Sequence, residues 1–272
     1  MHYVDEGAPD ASPVLFVHGN PTWSFYYRNL IKALSPTHRC VAPDHIGCGK
    51  SDKPGDARYG YRFERRVDDL SRLVDSLELE QVSLVAHDWG GMIGMTWAHR
   101  HPERVARIAL MNTAAFPLPS SKRLPGSLRL TRTPLGSLLV RGFNAFSRGT
   151  IRFGAKTKLA PEVRHGLVAP YDSWDNRIAV LRFVQDIPLS PRDPGYALIA
   201  EVAAGLERFS ETPFLIAWGE KDFVFDRHFL AEWERRMPSA TIQRFPEAGH
   251  YLLEDEPVAV VKLIGDFVKA AR

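Results

Sequence analysis

The feature that most constrains the fold of this 272-residue chain is the pentapeptide Ala86-His87-Asp88-Trp89-Gly90. It ends the apolar run Val82–Val85, which predicts a strand, and it opens into a segment of small residues that predicts a closely packed helix. A strand that turns sharply into a helix needs small residues near its apex, and Ala86 and Gly90 flank Asp88 two positions to either side. The pattern is typical of a nucleophile elbow with aspartate at the apex.

An aspartate at this position restricts the chemistry. A carboxylate is ionised at neutral pH and needs no base to become nucleophilic. It can attack a carbon that bears a leaving group and form an ester with the enzyme. Asp88 therefore predicts a substrate that presents an electrophilic carbon with a leaving group, and the expected partner is a small hydrophobic molecule.

Short β-rich runs alternate with helical patterns on both sides of the middle of the chain. Most of these runs are almost continuously apolar, as expected for strands that are covered on both faces. Their repetition predicts an α/β fold with a mostly parallel sheet and helices on both faces. The runs are Pro13–His18, Arg39–Pro43, Val82–Ala86, Arg107–Met111, Pro213–Trp218 and Ala240–Phe245.

Apolar residues at helical spacing predict which helix faces are buried. One stripe comprises Phe63, Val67, Leu70, Val74 and Leu77. The last helix is predicted to start at Asp255-Glu256-Pro257, with acids and a proline in its first turn, and to bury Val258, Val261, Ile264 and Phe267.

Residues 116–195 interrupt this alternation. They are rich in Pro, Gly and Arg, they show helical patterns at Ser137–Phe146 and Asn176–Gln185, and they contain no convincing strand pair. They are predicted to form a helical cap over the carboxyl ends of the strands, where open α/β sheets place their sites. The cap divides the core into residues 1–115 and 196–272.

The predicted cap is basic, with 13 Lys and Arg against 5 Asp and Glu, although the whole chain has a net charge of only +3. Such a surface can attract anions, a membrane surface or an acidic partner, or it can simply be a solvated face. It is compatible with a homo-oligomer or a multi-enzyme assembly. No basic and aromatic motif for nucleic acid is present in the sequence, so no nucleic-acid partner is expected.

Other sequence features set weaker expectations. Cys40 and Cys48 make neither a disulfide framework nor a zinc site, and no metal or cofactor is expected. The start of the chain lacks signal-peptide features, which favours the cytoplasm. Because the chain begins about a dozen residues before Pro13, we expect a truncated start or a sheet without an edge strand.

Two loops complete a catalytic set with Asp88. Asp222 follows the run Pro213–Trp218, and His250 follows the run Ala240–Phe245. Taken singly, Asp222 could cap a helix and His250 could be a hydrogen-bonded core residue. The order nucleophile, acid, base, each after a strand, instead predicts a triad.

The expected roles follow from this order. Asp88 attacks carbon, and neutral His250, oriented by Asp222, takes a proton from the water that cleaves the resulting ester. The backbone N–H groups of Trp89 and Asn20 are the expected donors to the oxyanion of that step.

Three segments, His18–Trp23, Pro43–Asp52 and His87–Gly91, resemble the haloalkane dehalogenases of the α/β-hydrolase superfamily. The resemblance implies the α/β-hydrolase fold and a covalent alkyl-enzyme ester that activated water hydrolyses. It also implies that the side-chain N–H groups of Asn20 and Trp89 bind the departing halide. Alternatively, Asn20 is a turn residue and Trp89 a core aromatic.

The cap segments Arg132–Phe146 and Ala169–Leu189 are similar to the third dehalogenase subfamily, which includes the β-lactone decarboxylases of long-chain olefin biosynthesis. Dehalogenation is the expected reaction, and this similarity implies the alternative, in which a strained lactone is opened and carbon dioxide is lost. Epoxide hydrolases share the triad but depend on cap tyrosines, of which the sequence offers only Tyr171 and the nearby Tyr196. A hydrolase-like receptor without turnover is disfavoured by the intact triad.

Overall fold

A computed structural model describes residues 1–122 and 126–270, and within them seven strands form one sheet in the order β1-β3-β2-β4-β5-β6-β7. Every neighbouring pair is parallel except β1 and β3, which are antiparallel. The strands are β1 (Tyr3–Glu6), β2 (Pro13–Val17), β3 (Arg39–Pro43), β4 (Val82–Asp88), β5 (Val105–Thr113), β6 (Phe214–Gly219) and β7 (Thr241–Phe245).

Helices cover both faces of the sheet. Side chains of α2, α3, α9 and α10 form the hydrophobic core on one face, and those of α1 and α12 form the core on the other. The helices are α1 (Arg28–Leu34), α2 (Phe63–Ser76), α3 (Trp89–Arg100), α4 (Gly126–Leu130), α5 (Pro134–Phe143), α6 (Ala145–Gly154), α7 (Pro161–Val168), α8 (Ile178–Gln185), α9 (Tyr196–Ala204), α10 (Arg227–Arg236), α11 (Leu252–Asp255) and α12 (Pro257–Lys269).

The predicted α/β-hydrolase architecture and all six predicted strands are confirmed, with ends that differ by two residues or fewer. The additional strand β1 was not predicted, because four mostly polar residues give no apolar signal. It pairs along β3 from Tyr3 beside Pro43 to Glu6 beside Cys40. The sheet therefore has an edge strand, contrary to one of the two expectations drawn from the short amino-terminal segment.

The predicted stripe of α2 is confirmed, whereas the one predicted for α12 is wrong in part. Val258 is 83% exposed, and the side chains that α12 buries are Val260, Ile264 and Val268. Apolar residues occur on two adjoining faces of this helix, so residue spacing alone allowed two phases, that is, two choices of the face that is buried. Packing against the sheet selected the phase that contains Val260.

Helices α4 to α8 lie between β5 and β6, in the segment predicted to be the cap. The described residues of this segment contain no strand. The helix predicted at Ser137–Phe146 is interrupted at Asn144, which has a left-handed backbone with φ of 54° and donates a side-chain hydrogen bond to the Tyr171 carbonyl at 3.0 Å. The boundaries 116 and 195 stay a prediction. Among the described helices, none combines the length and hydrophobicity that crossing a bilayer requires.

Candidate active site

Asp88 stands at a sharp turn between β4 and α3. Its backbone is in an unusual conformation, with φ of 53° and ψ of −130°, and Thr113 Oγ1 donates a hydrogen bond to its carbonyl. A Cβ on Gly90 would lie 1.8 Å from the Val17 carbonyl oxygen, and one on Gly19 would lie 2.2 Å from Asp88 Oδ1. Only glycine fits at these two positions, so the elbow predicted from the sequence is confirmed.

The Asp88 carboxylate is buried and held by backbone donors. The N–H of Asn20 donates to Oδ1 with 2.6 Å between nitrogen and oxygen, and the N–H of Trp89 also contacts the carboxylate. Burial raises the pKa of Asp88, and His250 and these two N–H groups offset only part of that effect. The two predicted oxyanion donors therefore contact the nucleophile itself.

His250 lies between the two carboxylates predicted to flank it. Its Nδ1 is 2.8 Å from Asp222 Oδ2, and its Nε2 is 3.7 Å from Asp88 Oδ2. Asp222 is fixed by a second hydrogen bond, which its Oδ1 accepts from the N–H of Val224 at 2.7 Å. The structure thus brings together the three residues that lie far apart in the sequence.

The protonation of His250 depends on opposing effects. Burial disfavours the imidazolium, but the Asp222 and Asp88 carboxylates outweigh burial and raise the pKa of His250. His87 lies beneath this residue, with its Nε2 2.8 Å from the His250 carbonyl oxygen. The site therefore holds an imidazole whose charged form is stabilised by two carboxylates.

Asn20 and Trp89 flank Asp88 as the sequence predicted. Asn20 Nδ2 donates to the carbonyl of Val180, on cap helix α8, at 3.1 Å. The Trp89 ring packs edge-on against Phe183, with 5.3 Å between centroids. Within the described residues, the indole N–H of Trp89 has no hydrogen-bond acceptor. The pair can offer N–H donors to an anion that leaves the substrate.

Asp88 and His250 line a cavity of about 880 Å³, together with side chains from the segment predicted to be the cap. Apolar side chains form most of its wall, among them Met92, Phe116, Leu139, Phe146, Val184 and Phe225. No tyrosine lines it among the described residues, and Tyr171 is buried with its hydroxyl directed to the Thr22 carbonyl. The epoxide-hydrolase alternative therefore has no tyrosine acid in this cavity.

Sequence reasoning missed two groups that support the site. The Val180 carbonyl gave no signal, because any residue carries one. Asp255 was interpreted as a first-turn acid of the last helix, yet it is buried and its Oδ2 accepts a hydrogen bond from the Gly249 N–H. Its place five residues after His250 could have suggested a contact with the histidine loop.

Comparison with known proteins agrees with this geometry. A profile of the alpha/beta hydrolase fold family matches residues 12–257. The chain is 52% identical to a cis-3-alkyl-4-alkyloxetan-2-one decarboxylase of Shewanella oneidensis, over 98% of this chain and 85% of the relative. It is 33% identical to a haloalkane dehalogenase of Mycolicibacterium paratuberculosis, over 94% of this chain and 83% of that protein. The crystal structure of a haloalkane dehalogenase from Bradyrhizobium elkani superimposes with a TM-score of 0.85 and 29% identity, covering 99% of this chain and 95% of that one.

Proposed function

The chain belongs to the alpha/beta hydrolase fold family, and we propose that it decarboxylates β-lactones that carry alkyl groups at both ring carbons. The observation that carries the proposal is the Asp88 carboxylate in the wall of a large apolar cavity, in a chain that shares more identity with a decarboxylase than with dehalogenases. A volume near 880 Å³ is at the upper end for ligand pockets and offers room for two alkyl chains.

The proposed reaction starts with attack of Asp88 on the ring carbon bonded to the lactone oxygen. The new C–O bond forms as the ring C–O bond breaks, and its electron pair leaves with the carboxylate so produced. The bond between that carboxylate and the neighbouring carbon then breaks and releases carbon dioxide. The electron pair of the broken carbon–carbon bond forms the double bond of the alkene, and the bond to Asp88 breaks so that Asp88 leaves as a carboxylate. No water is consumed and no proton is transferred.

The neighbouring groups fit these charges. The side-chain N–H groups of Asn20 and Trp89 can donate hydrogen bonds to the carboxylate that ring opening creates. The His250 imidazolium, beside Asp88, stabilises the aspartate as it leaves. In this reaction His250 therefore acts through its charge and position, and Asp222 maintains both.

Hydrolysis of haloalkanes is the second candidate, since the indole N–H of Trp89, which has no acceptor among the described residues, can also bind the halide that this reaction releases. Asp88 would displace halide and form an alkyl ester. Neutral His250 would then take a proton from water, and the resulting hydroxide would attack the ester carbonyl. Alcohol would be released and the carboxylate restored. Both candidates use the same residues, but only hydrolysis requires His250 as a base.

Product analysis distinguishes the two reactions. We expect the protein to convert a long-chain cis-3,4-dialkyl β-lactone into alkene and carbon dioxide, measured by gas chromatography and mass spectrometry. Incubation with a 1-bromoalkane is the parallel assay, in which alcohol and bromide would support the second candidate. Asp88→Asn is the control for both, because it keeps the side-chain shape and removes the nucleophile.

The outcomes decide between the candidates. Alkene from the wild type and none from Asp88→Asn supports decarboxylation. Consumption of the bromoalkane alone would overturn the first proposal in favour of the second.

The cytoplasmic location is part of the same proposal, and the buried, unpaired Cys40 and Cys48 are consistent with it.

A further inference from the structure

The cap contains a long segment with positive charge only. Residues 116–161 include nine Lys and Arg and no Asp or Glu. Arg129, Arg148 and Arg152 are exposed, and among the described residues none of the three forms an ion pair. By contrast, Arg141 has a partner from the next part of the cap, with 3.3 Å to Asp175. Lys122 is likewise paired, with Asp226 at 2.5 Å, so the cations without counter-charges among the described residues include Arg129, Arg148 and Arg152.

Large apolar side chains are exposed among these cations. Leu135 and Leu138, three residues apart, lie on one face of α5, and Phe143 at the end of α5 is 62% exposed. Phe153 on α6 is 60% exposed beside Arg152, whose guanidinium lies 5.4 Å from the ring centroid. We call this set the mouth surface; it comprises Arg129, Leu130, Leu135, Leu138, Phe143, Arg148, Arg152 and Phe153.

The mouth surface adjoins the cavity that contains Asp88, because three of its residues, Leu130, Arg152 and Phe153, also line that cavity. Leu130 of α4 and Phe153 of α6 are both partly in the cavity wall and partly exposed, and Leu139 of α5 completes this side of the wall. The apolar interior of the cavity is thus continuous with the apolar part of the mouth surface. Leu130 and Phe153 line the same cavity as Asp88.

We propose that the mouth surface docks on an anionic phospholipid bilayer. Leucine and phenylalanine side chains would enter the boundary between headgroups and acyl chains, and the arginines would contact lipid phosphates. An acidic protein patch would match the arginines but would place charged groups against the exposed leucines and phenylalanines. A second copy of the chain would bring its own unpaired cations against them. Of these three partners, only a bilayer offers phosphates to the arginines and an apolar layer to the leucines and phenylalanines on the same surface.

Docking gives the cavity a direct source of apolar substrate. A long-chain molecule dissolved in the bilayer can pass beside Leu130 and Phe153 into the cavity that contains Asp88 without crossing water, which avoids the cost of hydrating its alkyl chains. The identity of that substrate rests on the proposed function. The docking itself does not, because it follows from the exposed side chains.

Sedimentation with vesicles tests the docking on the full chain. We expect binding to large vesicles of phosphatidylglycerol and phosphatidylethanolamine, weakened by salt and at least about tenfold weaker on pure phosphatidylcholine. Arg129→Glu with Arg148→Glu should weaken binding to anionic vesicles at least about tenfold. Leu135→Ser with Leu138→Ser should also weaken it, with less dependence on salt.

The matched control is Lys32→Glu with Lys269→Glu, which changes the net charge equally on the exposed surface of α1 and α12. The binding of this control to anionic vesicles should stay within about twofold of that of the wild type. An equal loss of vesicle binding in the control would overturn the proposal, and so would binding of the wild type that does not depend on the charge of the lipid. One result of light scattering would also overturn the proposal: the wild type is an oligomer, and Arg129→Glu with Arg148→Glu dissociates it without changing vesicle binding. A second copy of the chain would then be what covers the surface.

A second assay separates the docking from the proposed function. Turnover of a short-chain β-lactone in water, without vesicles, should be the same in wild type and in the mouth-surface variants, since none of the substituted side chains lines the cavity. Absence of turnover in all of them would count against the proposed function. Vesicle binding that follows the pattern above would still support the docking.

Discussion

The carboxylate of Asp255 accepts a hydrogen bond from the backbone N–H of Gly249, with 2.7 Å between Oδ2 and nitrogen. Its other oxygen accepts from the N–H groups of Lys156 and Thr157, just after α6, at 2.7 and 2.8 Å. A single buried side chain therefore joins the end of a cap helix to the loop that carries His250. This contact couples the position of the cap to the geometry of the triad.

Replacement of Asp255 by asparagine should loosen both connections. The amide nitrogen of asparagine cannot accept the hydrogen bonds that a carboxylate oxygen accepts, and a buried N–H without an acceptor typically costs about 1–3 kcal/mol. We expect the free energy of unfolding in urea to fall by about that amount and kcat to fall more than KM rises. Glu256→Gln, one residue away and without a side-chain hydrogen bond among the described residues, is the control. Equal effects in the two variants would contradict the argument.

Asp88→Asn should remove turnover and increase stability. Since folding raises the pKa of Asp88, the ionised carboxylate is disfavoured in the folded state at any pH above its folded pKa. This cost vanishes as the pH falls below the unfolded pKa, where both forms are protonated. We expect a gain on the order of 1 kcal/mol near neutral pH and none in acid, measured by thermal unfolding across pH. A less stable variant near neutral pH would contradict the pKa shift.

The pH dependence should differ between the two candidate reactions. Hydrolysis of an alkyl ester needs neutral His250, whose pKa the Asp222 carboxylate raises, so its rate should fall as the pH drops through the pKa that His250 has in the ester. Decarboxylation needs ionised Asp88 and does not need neutral His250, so it should continue to lower pH and fall as Asp88 becomes protonated. Initial rates of alkene and alcohol formation across pH test this difference. Identical acid limbs for both products would contradict it.

His250→Gln provides a further contrast between the reactions. Without the imidazole, an alkyl ester on Asp88 should form but not be cleaved, and intact-protein mass spectrometry after incubation with a bromoalkane should show the added mass. Alkene formation from a β-lactone should be slowed yet continue, because no proton is transferred in it. Asp222→Asn should instead shift the acid limb of ester hydrolysis to lower pH, since it removes a carboxylate that raises the pKa of His250.

Halide binding tests the roles of Asn20 and Trp89 directly. If their N–H groups hold the leaving anion, iodide should quench part of the tryptophan fluorescence saturably. Asn20→Ala should weaken that binding by one to two decades, because a hydrogen bond to a charged group is typically worth about 1.5–3 kcal/mol. Trp23, whose indole N–H already donates to the Gly166 carbonyl, offers a control through Trp23→Phe. Quenching that is linear in wild type would exclude a halide site.

Much of the fold and of the site could be predicted from local sequence. Apolar runs of strand length and the small residues around Asp88 are patterns that neighbouring residues carry on their own, and Asp88, Asp222 and His250 each follow such a run in the order typical of the fold. Gly90 belongs to the local elbow pattern around Asp88, whose φ is 53°, but the atom that a Cβ on Gly90 would meet is the Val17 carbonyl oxygen of the neighbouring strand β2. Because these patterns are local, the elbow and the loops of the triad were identified without coordinates.

Contacts between distant segments were decided only by the tertiary structure. The phase of α12, the break at Asn144, the hydrogen bond from Asn20 to Val180 and the link from Asp255 to Gly249 all depend on which surfaces meet after folding. Residue spacing determines which faces can be apolar, but several phases and partners satisfy the same spacing. Close packing selects one of them, because burying a polar group without its partner costs more than any local preference supplies.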